Sequence, residues 1–346
     1  MIPRDRLPNS LRNALARIDA LIAAHTTLVL EDDASVLAAY LGYCRDERLL
    51  TPQSLRQQYY ELAYVQRWFR AQGRSLPKGT TTEDIRAFLD FQRDERGNSL
   101  VQLRHYLGTL RSVFRWLVDR QVLDLDPTAD LALRTPPIRN VHDVLDRDEL
   151  LRLLQAARDD RDEAPPRFRA IRTRDAALIS LFAATGCRLS EALRLTRGRL
   201  DLQARRAFLP GKGDHRYAVK ERVLPLVDDD AVDDIRRWLA MGPEDPSAPV
   251  FTTPSGSIVE PHSVHFRLRR VARRAGLERR ITPHDLRATF ASRLVANGID
   301  PVALQQLMGH AQLATTLTLY AKLDHHSLHD AWLRHNPLAP AEDDDE

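Results

Sequence analysis

Apolar positions recur at helical spacing along most of the chain. Residues 1–30 form one amphipathic segment, with Leu11, Leu15, Ile18, Leu21 and Ile22 in register. From about 33 to 125 four further stripes follow: Val36-Leu37-Tyr40-Leu41, Leu55-Tyr59-Leu62-Val65-Phe69, Ile85-Phe88-Leu89, and Leu103-Leu107-Leu110-Phe114-Leu117. Thr51-Pro52, Leu76-Pro77 and Gly97-Asn98-Ser99 separate them, so a compact bundle of about four short helices is predicted. Residues 124–143 carry Pro127, Pro136 and Pro137 with little periodicity and read as a linker. A second region opens near Leu145 with a helix over 149–157, then a charged, proline-containing loop from 158 to about 172, then a helix over 175–184 stopped by Gly186. Residues 206–209 and 217–226 read as a β-hairpin around Gly211-Lys212-Gly213. Helices over 262–275, 283–297 and 301–308 follow, then a short helical stretch holding Tyr320 and a polar tail. The expected fold is mainly α with one small β-hairpin. Its parts are an extension (1–30), a helical domain (31–125), a linker (126–144), a mixed α/β domain (145–336) and an acidic tail (337–346).

Composition narrows the class. Of 346 residues 43% are hydrophobic and 29% charged, which is ordinary for a globular chain with a core. No window approaches the ~18 apolar residues of a membrane span, and the N-terminus lacks a signal-peptide core. Cys44 and Cys187 are the two cysteines, which excludes a disulfide framework and a cysteine zinc cluster. A soluble, cytoplasmic protein of a reducing compartment is expected. The net charge is +3, yet the last five residues are all acidic, so the remainder carries +8 and suits a polyanionic partner. Lysine is scarce: Lys78, Lys212, Lys220 and Lys322 stand against 47 arginines.

The candidate chemistry lies in the second region. Thr282 fits an N-cap, Pro283 the first helical position, and Asp285 completes a capping box. His284 and Arg287 then share one face near the positive helix end, an arrangement suited to phosphate. The preceding helix buries Val264, Leu268 and Val271 and presents Arg267, Arg269, Arg270, Arg273 and Arg274; of these Arg267, Arg270 and Arg274 are candidate contacts to a DNA backbone. In TGCRLSEAL, residues 185–193, Arg188 falls on the turn between two helices, where its fork can hold a phosphate while Glu191 orients it. Lys212, at the hairpin tip, can give up a proton where arginine cannot, with Lys220 in VKERVLPL as rival. LMGHAQLATTLTLYAKL supplies His310 and Tyr320. Each residue alone has an ordinary structural reading as a cap, core or surface group; only the set carries weight.

The set resembles the tyrosine recombinase (phage integrase) family. TGCRLSEAL is similar to its first-arginine box, PGKG to its hairpin lysine, HDLRATFASRL to its His-x-x-Arg box, LMGH to its second histidine, and the tyrosine after ATT to its nucleophile. The likeness spans about 145–325 in order, and the 33–125 helices, with FRWLVDRQVLDLDPTADL near their end, resemble the core-binding domain. The resemblance implies a two-domain architecture: a helical SAM-like core-binding domain and a mixed α/β catalytic domain. It implies that Arg188 and Arg287 clamp the scissile phosphate and that Tyr320 attacks it to give a 3′-phosphotyrosyl link. Lys212 then protonates the 5′ leaving oxygen, His284 serves as base or shuttle, and His310 hydrogen-bonds the phosphate. No cofactor, metal or ATP is implied. The implied partners are a double-stranded DNA recombination site, four protomers on two sites, and an accessory DNA-bending or partner recombinase. The hairpin is longer than the family's compact form, which leaves Lys212 and Lys220 both open.

Three other readings compete. A type IB topoisomerase-like enzyme would use the same chemistry, but a separate core-binding domain points to site recognition. A non-catalytic DNA-binding protein of the same fold would have lost a catalytic residue, and none is missing. A metal nuclease using His284, His310, His325, His326 and His329 lacks an acidic pair at ligand spacing.

Overall fold

The computed structural model describes residues 4–133, 144–209, 222–309 and 312–320. Contacts divide the chain into two units, Asn9–Asn140 and Met1–Pro8 with Val141–Glu346. The first is a helical bundle of α1 (Asn9–Ala24), α2 (Asp33–Asp46), α3 (Pro52–Ala71), α4 (Thr82–Asp94) and α5 (Leu100–Asp119). Asp32, Thr51, Thr81 and Ser99 each accept a backbone N–H at the start of a helix, so four of these starts are written in the sequence as caps. The predicted stripes are the buried ones: Tyr40, Leu41, Val65, Phe69, Phe88, Leu110 and Phe114 are wholly enclosed. Aromatic edges lock them, Tyr40 against Trp116 at 5.5 Å and Phe88 against Tyr106 at 5.4 Å between ring centres. The bundle has one helix more than predicted over 33–125, because α1 buries Leu11, Leu15 and Ile18 against α2 and α3. An amphipathic helix with a bundle beside it covers its apolar face there.

The second unit contains α6 (Arg147–Asp162), α7 (Pro166–Thr185), α8 (Leu189–Arg194), β1 (Leu200–Asp201), β2 (Arg206–Leu209), β3 (Arg222–Pro225) and α9 (Asp229–Leu239). It continues with α10 (Pro261–Arg274), α11 (Pro283–Ala296), α12 (Pro301–Met308) and α13 (Leu313–Tyr320). Residues 4–8 also belong here: the Arg6 carbonyl accepts the Ile258 N–H at 3.0 Å. Helix α7 is buried on every side from Ala176 to Phe182, apolar there but for Ser180, and so becomes the centre, packed on by α6, α9, α10 and α11. Among the described residues no helix is long and apolar enough to cross a membrane.

Two departures from expectation share one cause. The segment 158–172, expected as a charged loop, is helical apart from 163–165. Two of its arginines turn inward: Arg158 Nε and Arg161 Nη1 donate to Asp234 at 3.0 and 2.5 Å, and Ser180 Oγ adds 2.7 Å. Asp234 stands on α9, in a stretch between the hairpin and the helix over 262–275 for which the sequence reading assigned no element. Yet Asp228 caps Ala231 N–H, and Val232, Ile235 and Trp238 fill the core. The hairpin holds where it is described. Strands β1, β2 and β3 pair antiparallel in that order, with Ala207 opposite Leu224 and Leu209 opposite Arg222. Residues 210–221, including Lys212 and Lys220, lie outside the described residues, as do 134–143 of the linker and the acidic tail.

Candidate active site

The site is built where α7 ends. Gly186 closes that helix in the left-handed region at φ +57°, and a Cβ there would stand 2.5 Å from the Phe290 ring of α11. Glycine alone meets both demands. The turn places Arg188 as the residue before α8, with Glu191 closing its first turn by accepting the Arg188 backbone N–H at 2.7 Å. The Arg188 side chain then forks: Nη1 donates to Glu191 Oε1 at 2.8 Å and Nη2 to the Gly309 carbonyl at 2.9 Å. A third of the side chain stays exposed, so the guanidinium has a face open to an incoming anion.

Arg287 approaches from α11. The expected capping box is present, with Thr282 N–H on Asp285 Oδ2 at 2.9 Å and Asp285 N–H on Thr282 Oγ1 at 3.3 Å. That start fixes the helix so that Arg287 turns inward, 5% exposed. Nη1 donates to the Gly186 carbonyl at 2.6 Å and Nη2 to the Met308 carbonyl. Burial, with Arg188 and Arg222 as like charges nearby, pushes its pKa down to about 10. It is therefore still a cation at neutral pH. Arg188 and Arg287 thus meet at the α7–α8 turn and the end of α12, held through adjacent carbonyls of Met308 and Gly309.

A third arginine, not anticipated from the sequence, completes the cluster. Arg222, the first residue of β3, donates Nη2 to Glu191 Oε2 at 2.6 Å, and both side chains are nearly enclosed. Burial lowers its pKa and Arg188 adds to the shift, while Glu191 opposes it. The signal was available: in Arg222-Val223-Leu224-Pro225-Leu226 the alternation puts Arg222 on the face of buried Leu224 and Leu226. Three guanidiniums against one carboxylate leave this cluster positive. Cys187, beside it, is wholly buried with its thiol pushed up to about 12, so it takes no part as a thiolate.

Other expected residues fall as follows. His284 is exposed on the first turn of α11. Tyr320 is the last residue of α13, which packs against α11 and α12; its side chain lies outside the described residues, as does His310. Arg267, Arg270 and Arg274 are not gathered at the cluster. Arg270 forks onto Asp160, with Nη1–Oδ1 at 2.6 Å, Arg274 pairs with Glu163, and Arg267 lies 3.7 Å from Asp175. The predicted positive stripe is thus partly neutralised by carboxylates of α6 and α7.

The family model described as the phage integrase family matches residues 143–326. The tyrosine recombinase XerC of Xanthomonas campestris pv. campestris (strain B100) is 31% identical over 306 residues, covering 88% of this chain and 89% of that protein. XerC of Alcanivorax borkumensis is 31% identical over 314 residues, covering 89% and 95%. Among solved structures, the XerH recombinase bound to its difH substrate in a pre-cleavage complex shares the fold. It aligns with TM-score 0.61 at 22% identity, over 94% of this chain and 96% of that one. A lambda integrase (75–356) dimer on a COC′ core site aligns with TM-score 0.60 at 18% identity, over 81% and 96%. The chain belongs to the phage integrase family. Its enzyme class is that of the tyrosine recombinases, which act in site-specific DNA recombination.

Proposed function

We propose that this chain cuts and rejoins duplex DNA at a specific site through a 3′-phosphotyrosyl intermediate on Tyr320, with neither metal nor ATP. In this reading Arg188 and Arg287 bind the non-bridging oxygens of one scissile phosphate and stabilise the charge that grows there. The Tyr320 oxygen attacks phosphorus, passing its proton toward His284, as the bond to the 5′ oxygen breaks. Lys212 protonates that oxygen, with Lys220 as the alternative donor, and His310 hydrogen-bonds the phosphate. One phosphate ester replaces another, so the bond energy is retained and a 5′-hydroxyl can reverse the step on the same or another strand. The helical unit serves as the core-binding domain, and strand exchange uses four protomers on two sites, with an accessory or partner protein as an option of the system.

The observation that carries this reading is the convergence of Arg188 and Arg287 on the carbonyls of Met308, Gly309 and Gly186, with α13 packed against the helices that hold them. The test is an SDS-resistant protein–DNA adduct, formed in EDTA on nicked duplexes tiled from DNA flanking the chain's own gene. The adduct is expected with the wild-type protein and absent with Tyr320→Phe. An adduct that needs a divalent cation, or survives in Tyr320→Phe, would overturn the proposal.

A further inference from the structure

We infer that Arg222 is a positioning residue of the phosphate clamp: it holds both anchors of Arg188, the Glu191 carboxylate and the Gly309 turn. The inference rests on the recombinase reading above and adds to it a residue that reading does not use.

Arg188 is held at two points, Glu191 Oε1 and the Gly309 carbonyl. Arg222 touches the partner at each. Its Nη2 lies 2.6 Å from Glu191 Oε2, the oxygen that also receives the Arg188 backbone N–H. With Oε2 tied to Arg222 and to the chain, Oε1 is left directed at the Arg188 Nη1. At the second anchor, Gly309 takes φ +60°, and a Cβ added there would collide with Arg222 Nη1. The turn that presents its carbonyl to Arg188 is thus seated directly on the Arg222 guanidinium.

Packing alone does not account for an arginine at this place. The antiparallel register sets Arg222 opposite Leu209 on the buried face of the sheet, in line with Leu224. Its side chain is 11% exposed, and among the described residues Nε and Nη1 have no hydrogen-bond partner. An apolar residue of similar volume would fill such a position at lower desolvation cost, since replacing buried ion pairs by hydrophobes is often neutral or stabilising. The charge also matters. Glu191 is 2% exposed, and facing Arg188 alone it would cancel that cation; the second guanidinium shares the carboxylate and leaves Arg188 available to phosphate. Burial depresses the pKa of both Arg222 and Arg287, and the like charge of Arg188 adds to each shift.

The test separates chemistry from folding. On the duplex that traps the wild-type adduct, the single-turnover rate of adduct formation and the DNA dissociation constant are measured for Arg222→Met, Arg222→Lys and the double variant Arg222→Met/Glu191→Gln. Arg222→Met is expected to slow adduct formation about a hundredfold, the size of effect seen when an oriented transition-state donor is lost. DNA affinity should stay within about twofold, and the double variant, which also removes the buried carboxylate, should regain the thermal midpoint that Arg222→Met loses without regaining its rate. Arg222→Lys, which keeps the charge and one hydrogen bond, is expected to recover about tenfold of that loss. Adding Glu191→Gln should cost little more, because both substitutions release the same guanidinium. A wild-type rate in Arg222→Met overturns the inference. So does a loss that tracks a fallen midpoint and weakened DNA binding and is not recovered by lysine. A wild-type protein that forms no Tyr320 adduct overturns instead the reading on which the inference stands.

Discussion

The two units handle buried charge differently. In the helical unit the enclosed carboxylates sit near helix starts and pair with arginines that remain in water. Asp33, at the start of α2, takes Arg70 Nε at 2.9 Å, but the Arg70 side chain is 64% exposed. Asp84, in the first turn of α4, pairs with Arg74, which is more than half exposed. In the second unit both partners are enclosed: Arg161 with Asp234, Arg174 with Asp175, Arg222 with Glu191. The first unit is held by aromatic and aliphatic packing, with ion pairs as trim. The second carries ion pairs through its interior, the arginine cluster among them. Such pairs add little net stability but penalise any arrangement that separates them.

The largest expected effect lies at Asp234. It receives Arg158, Arg161 and Ser180 from two helices, and Asp234→Ala would remove the one enclosed carboxylate they share, leaving Arg158 to exposed Asp230 and Arg161 to exposed Asp162. Losing three hydrogen bonds to a charged group is expected to cost the unit carrying it about 3–5 kcal/mol, read as a fall in its guanidinium-denaturation midpoint. A loss below about 1 kcal/mol would remove the contrast between the units.

That same network marks what could and could not be read in advance. The helical unit follows almost entirely from local signals: a 3.6-residue stripe, a side-chain cap, a proline at the first turn. The cluster was also legible at Gly186, Arg188, Glu191 and Arg287, because a left-handed stop and a Thr282–Asp285 capping box are local features. The run 158–172 was misread because two of its arginines, Arg158 and Arg161, are satisfied by Asp234, more than seventy positions further on, which no window along the chain contains. Arg222 escaped for the same reason. Alternation shows that it faces inward, but its partner Glu191 comes from another element, and nothing local says that an inward arginine is tolerated.

A smaller effect is expected at Arg270, where the sequence suggested DNA contact and the structure supplies Asp160. The pair is mostly enclosed, with Arg270 26% and Asp160 9% exposed. Arg270→Ala is expected to cost about 1.5–3 kcal/mol of stability, the range for charge-assisted hydrogen bonds. The slope of log affinity for DNA against log salt should not change. A slope reduced by about one, as when a phosphate contact is lost, would return Arg270 to the DNA interface.

The smallest effect belongs to the helical unit and sets the floor of the comparison. Arg70 donates to Asp33, yet Asp33 also accepts Ser75 Oγ at 2.8 Å and Leu76 N–H at 3.2 Å. Those two bonds remain when the arginine is removed, so the carboxylate is not left bare. Because the Arg70 side chain is mostly in solvent, water replaces the lost guanidinium and salt already screens it. Arg70→Ala is therefore expected to cost less than about 1 kcal/mol, and that cost should shrink further in high salt. Denaturation at two salt concentrations checks both statements. A loss as large as that of Asp234→Ala, or one that salt leaves unchanged, would mean that the helical unit also depends on its charges and that the two units are stabilised alike.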